Sequence, residues 1–168
     1  MQKTPIAFFC VLLLSALFSG FLGAQTASEL DAILDTPAVS NEQAARFVLA
    51  AADVLPVDVS GTDAFLYARG NNWFPPEAEP RGTITLGRLS HLIMQAFRLR
   101  GGFLYAVFPG PRYGYRALVR RELIQGFADP ALRVSGERFL HILGRVLDYT
   151  LRIQEAGTEP ANLAGGKP

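Results

Sequence analysis

Arg112, Arg116 and Arg120 stand four residues apart, with Tyr113 and Tyr115 among them. On a helix running from residue 112 onward, that spacing sets the three guanidinium groups along one face. Arginine makes two-pronged hydrogen bonds to carboxylate and phosphate and stacks on aromatic rings. With the two tyrosines beside it, the stripe reads as a contact for an anion or a glycan. The competing reading is a solvated face that Glu122 partly compensates. A second candidate surface is the apolar run FLYAVF, residues 103–108, closed by Pro-Gly-Pro. Phe103, Leu104 and Phe108 would there meet an apolar partner. The run is open to two conformations, a short helix or an extended segment.

Other chemistry is poorly supplied. His91 and His141 each follow the start of a similar segment by seven residues, on its polar side. A metal would need further ligands on that face, and the neighbours there are Arg88, Gln95, Arg138 and Arg145, mostly cations that repel one. Both histidines are therefore read as solvent-facing, with no metal site and no cofactor. The serines of VSG and LSH begin or lie within helices and form no nucleophile elbow. The acids are scattered, without a pair suited to glycoside hydrolysis. The glycine turns LRGG and RGN are too short for a phosphate loop. No enzyme is expected, and an enzyme of unknown type ranks as the third reading.

Charge divides the chain. Residues 25–80 carry nine acids and two arginines; residues 81–152 carry twelve arginines and four acids. The basic half holds no lysine. Such a field draws an anionic partner, either an envelope polymer, a lipid headgroup or an acidic protein. Alternatively, the two halves neutralise each other within one fold.

The N-terminal MQKTP carries one charge, and an uncharged apolar run ending in small residues follows it. This is the pattern of a secretory signal, with cleavage expected after Ala24. A retained anchor is the alternative, since about 17–19 apolar residues approach the lower limit for crossing a bilayer. Cys10 lies in the middle of the run behind Phe8 and Phe9, where a lipid-modified cysteine would not stand. The mature chain then has no cysteine, hence no disulfide and no thiolate chemistry. It is expected in the periplasm or at the cell surface, which makes nucleic acid an unsuitable partner. It has no membrane span and must be held by its apolar core. Its length suits one domain, 25–152. The tail 153–168, poor in large apolar residues, is expected to be disordered.

The elements that position the candidate residues show a repeat. VSNEQAARFVLAAAD from Val39, ITLGRLSHLIMQAFR from Ile84 and VSGERFLHILGRVLD from Val134 align without gaps. Counting the first residue as zero, positions five, eight, nine, twelve and thirteen are apolar in all three, which is one face of an α-helix. Ser40, Thr85 and Ser135 stand where an N-cap belongs, and Gln43 completes a capping box with Ser40. The second helix is expected to run to Gly101 and Gly102. A shorter helix precedes the second and third copies, the earlier one capped by Asp63 or Thr62. The fold class is therefore all-α: short helix, loop, longer helix, in units of about 28–55, 62–102 and 112–150, two full and one partial. Each unit leaves an apolar face to be buried against its neighbours.

At YRALVRRELIQGFADPALRVSGERFLHILGRVL, and more loosely at WFPPEAEPRGTITLGRLSHLI, the unit resembles the S-layer homology repeat. The resemblance covers about residues 28–149. It implies helical pairs, commonly three around a pseudo-threefold axis, and attachment of an exported protein to cell-wall polysaccharides. The family's motif arginine stands here as Asn41, Leu86 and Gly136, and its motif glutamate as Gln43, Arg88 and Arg138, so its polymer-gripping residues do not carry over. The expected function is non-catalytic binding or scaffolding, with the arginine-rich face on an anionic polymer or glycan. The alternative is a periplasmic accessory or assembly factor that holds another envelope protein through the acidic half and residues 103–108.

Overall fold

A computed structural model of the chain describes residues 28–126 and 129–158. The expected signal, 1–24, and the end of the expected disordered tail lie outside these residues. Among the described residues the fold is helical, with isolated bridges in place of strands. The helices are α1 (residues 28–34), α2 (Asn41–Ala51), α3 (Gly61–Gly70), α4 (Leu86–Ala96), α5 (Phe103–Val107), α6 (Pro111–Arg120) and α7 (Gly136–Thr158). Helix α7 continues to Thr158, so it includes residues 153–158, the start of the expected tail. No helix among the described residues is long and apolar enough to cross a membrane.

Hydroxyl caps start the main helices. Ser40 accepts from the Gln43 amide at 3.2 Å, while Gln43 accepts from the Ser40 amide at 2.9 Å. Thr85 and Ser135 cap α4 and α7 through the amides of Arg88 and Arg138. The cap of α3 is Ser60, not Asp63 or Thr62: its hydroxyl accepts from the Asp63 amide and donates to the Asp63 carboxylate at 2.7 Å. Four helices stop in one manner. Asp53, Asn72, Arg98 and Glu122 take left-handed φ values of 50–60°. The amides just after them, on Val54, Trp73, Leu99 and Leu123, donate back to Leu49, Ala68, Met94 and Leu118. This is the Schellman arrangement, which satisfies terminal carbonyls and folds an apolar residue back onto the helix. Helix α4 therefore ends at Ala96, short of the Gly101–Gly102 stop expected from sequence.

Three extended residues meet at the centre. The Val39 amide donates to the Val134 carbonyl at 2.8 Å, Ile84 to Val39 at 2.9 Å, and Val134 to Ile84 at 3.3 Å, which closes a ring. All three side chains are fully buried. Around the ring, the amides of Asn41, Leu86 and Gly136 donate to the carbonyls of Gly82, Leu132 and Thr36. A Cβ on Gly136 would collide with the Ile33 carbonyl, so only glycine lets the end of α1 close on the start of α7.

Helices α2, α4 and α7 turn their apolar stripes inward; Val48, Leu92, Ile93, Phe139 and Val146 are buried, and Phe47 meets Phe139 edge to face. The tightest neighbours are α2 with α3 and α4 with α6. The shorter helices α3 and α6 thus pack on the longer helices α2 and α4 that precede them, across the unit boundaries drawn from sequence. Helix α4 is buried on almost every side. On its outer side α6 crosses at Gly114, where an added Cβ would lie 3.2 Å from the His91 backbone. That crossing explains why His91 is buried rather than solvent-facing; His141, on α7, is exposed as expected.

Candidate functional site

Helix α6 begins with Pro111 in its first turn, where a missing amide costs nothing. Its inner side, Gly114, Ala117 and Leu118, packs toward α4. The 3.6-residue period then forces Arg112, Arg116 and Arg120 outward, and all three are exposed. Tyr113 and Tyr115 are half-buried at the margins of the stripe.

The run 103–108 resolves as a short helix, α5, followed by an exposed turn. Phe103 is 82% and Phe108 61% exposed, which leaves two large apolar rings in water. The side chain of Leu104 lies outside the described residues. Tyr105 anchors the segment: its hydroxyl accepts from Gln95 Nε2 at 2.9 Å and sits 3.3 Å from His91 Nδ1. Burial pushes the Tyr105 phenol above its ordinary range, with the Gln95 hydrogen bond acting in the opposite sense. Burial also holds the His91 imidazole below its ordinary range, which favours the neutral ring.

The two surfaces proposed from sequence converge. Phe103, Tyr105, Tyr113, Arg116 and Arg120 line one groove of about 230 Å³. Phe108 stacks on Tyr113 with ring centroids 6.5 Å apart. Arg120 lies over Gly102, where a Cβ would come within 3.2 Å of its guanidinium. Arg112 stands one turn beyond the groove on the same helix. The groove is smaller than a usual pocket for a drug-sized ligand, and its lining is mostly apolar, with Arg116 and Arg120 as its cations.

The electrostatics are one-sided. Residues 98–121 contain six arginines and no acid. Among the described residues one ion pair forms, Arg46 with Glu29 at 2.9 Å, and both members belong to the acidic half. Among the described residues the two halves form no ion pair with each other, and none involves an arginine of α6.

A second basic cleft escaped the sequence reading. Arg121 donates to Tyr149 Oη at 3.2 Å, to the Ala117 carbonyl at 3.1 Å and to the Arg100 carbonyl. Arg121, Arg145, Tyr149 and Arg152 line a cleft of about 580 Å³, with Glu122 the acid at its edge. Arg145, Tyr149 and Arg152 recur at positions i, i+4 and i+7 of α7, a signal the sequence did carry. Among the described residues no three His, Cys, Asp or Glu side chains gather closely enough to hold a metal ion.

Comparison with family models, curated proteins and solved structures returns no match.

Proposed function

We propose that the chain is a non-catalytic exported envelope protein that binds an anionic envelope polymer or glycan through Arg112, Arg116 and Arg120, with Tyr113 and Tyr115 beside them. The observation that carries this reading is the absence of acids from residues 98–121, together with the placement elsewhere of the one ion pair found among the described residues. Three exposed guanidinium groups on one helix face, in no ion pair among the described residues, are available for two-pronged bonding to phosphate or carboxylate. The scaffold in this proposal is a set of divergent S-layer-homology-like helical units around a common core. The ring of Val39, Ile84 and Val134 supports it, because these are the first residues of the three aligned segments. So does the burial of the apolar stripe in each segment.

The second reading, a protein partner held by the acidic half and residues 103–108, draws support from the exposure of Phe103 and Phe108. The groove that joins Phe103 to Arg116 and Arg120 weighs against it, since it sets the apolar segment beside cations rather than acids.

The test is pelleting of the protein with isolated envelope fractions across a salt series. The proposal expects pelleting that weakens steeply as salt rises, as charge contacts are screened, and that is lost in the Arg112→Ala, Arg116→Ala, Arg120→Ala triple variant. Salt-insensitive pelleting that the triple variant retains would overturn it.

A further inference from the structure

The rings beside the arginine row are left mostly in water by the fold. Phe103 and Val107 lie four apart on α5 and so share a face; they are 82% and 50% exposed, and Phe108 is 61% exposed. Isolated apolar side chains on a surface are ordinary, whereas a contiguous group marks an interaction site. This group is contiguous. Phe103 lines the groove with Arg116 and Arg120, and Phe108 stacks on Tyr113 one residue from Arg112. The protein spends burial of Tyr105 and two hydrogen bonds to hold α5 in this posture, with its other rings outward.

An anionic polymer in water explains the arginines and not the phenylalanines. A bilayer surface explains both. Aromatic and aliphatic side chains enter the boundary between headgroups and acyl chains, to a depth of about 5–10 Å, while basic side chains meet the phosphates. Arginine, with its long apolar stem and planar fork, can cover apolar surface and still reach a headgroup. The groove between Phe103, Tyr113, Arg116 and Arg120 sets two guanidinium groups beside an apolar wall, the pairing that a headgroup phosphate and its acyl chain would meet.

We propose that the α5–α6 edge is a docking surface for an anionic lipid bilayer, with Phe103, Val107 and Phe108 entering the interface and Arg112, Arg116 and Arg120 binding headgroup phosphates. This rests on the reading of the arginine row as an anion-binding face and names its partner. It requires no membrane-spanning helix, because the contact lies in the plane of the interface.

The experiment is co-sedimentation of the chain from residue 25 onward, without the apolar N-terminal run that would itself enter a bilayer, with vesicles of phosphatidylcholine alone and of phosphatidylcholine with phosphatidylglycerol. Retention on a soluble polyanion, dextran sulfate, is measured in parallel. Binding is expected to the phosphatidylglycerol vesicles and to be weak on phosphatidylcholine. With roughly 1 kcal/mol per arginine at an anionic surface, the triple arginine variant should lose on the order of 100-fold in vesicle affinity. Phe103→Ser with Phe108→Ser should lose about tenfold or more on vesicles while keeping wild-type retention on dextran sulfate. Circular dichroism of each variant confirms that it folds. Phe103→Trp, read by emission, should shift to the blue when anionic vesicles are added, and an unshifted spectrum on bound vesicles overturns the insertion. Retention on dextran sulfate without vesicle binding overturns the lipid proposal and leaves the anion-binding face standing. Failure on both surfaces overturns the two together. Vesicle binding that ignores the phenylalanines but needs the arginines also overturns the bilayer docking, and returns the face to soluble polyanions.

Discussion

The Val39 amide donates to the Val134 carbonyl at 2.8 Å, and this bond joins the start of the first long helix to the start of the last. Ile84 completes the ring between them. A substitution there tests whether the centre holds the fold. Ile84→Ala should cost about 2–5 kcal/mol, the range for truncating a fully buried isoleucine. Urea unfolding with an unchanged slope checks it, and a loss below about 0.5 kcal/mol, typical of a surface change, would mean that the ring is incidental.

The crossing of α6 over α4 depends on the bare Cα of Gly114. Gly114→Val should push α6 away from the His91 backbone and cost about 1–3 kcal/mol, as overpacking does. Gly110→Ala is the matched control: its Cβ would meet nothing within 4 Å, and its φ of −172° suits any residue. Thermal unfolding of the two variants side by side decides the point.

His91 sets a pH dependence. Its folded pKa lies below the ordinary 6.5 because burial disfavours the imidazolium. Below about pH 6.5 the unfolded chain therefore binds more protons than the folded one, and stability falls as pH falls through that window, by at most about 1.4 kcal/mol per pH unit. The contribution is constant above pH 6.5. Chemical unfolding at pH 7.5 and pH 5.5 should show the loss, and His91→Gln should flatten it. The Tyr105 phenol carries the opposite label: raised above 10.0, it contributes stability that is lost as pH climbs beyond the ordinary tyrosine range.

Neighbouring arginines should behave differently. Arg121 holds three acceptors on α6, α7 and the segment after α4, so Arg121→Ala should destabilise by about 1.5–3 kcal/mol, the range for hydrogen bonds to a charged group. Arg120, exposed and without an ion pair among the described residues, should change stability by less than about 0.5 kcal/mol on replacement by alanine. Equal effects in calorimetry would refute the assignment of a structural role to one and a surface role to the other.

Where a property belongs to one segment, the residues announced it. The period of apolar positions marked the inward sides of α2, α4 and α7, and the hydroxyls at Ser40, Thr85 and Ser135 marked their starts, because both signals act within a turn or two of chain. The row Arg112, Arg116, Arg120 was legible for the same reason, since helical spacing alone sends it to one face. Helix ends were not, because Asp53, Asn72, Arg98 and Glu122 adopt left-handed geometry without being glycine. What holds them there is the next residue, Val54, Trp73, Leu99 or Leu123, turning back onto the core, and that is a matter of packing.

By itself, then, the amino-acid order determined a helical chain, the faces its long helices bury and a divided charge, all consequences of local spacing and composition. The tertiary structure decided which faces meet. It set Phe103 beside Arg116 and Arg120, drew His91 under Gly114 and gave Arg121 to Tyr149 while leaving Arg120 in water. These pairings join residues on different helices, and no period along one helix encodes the angle at which another crosses it.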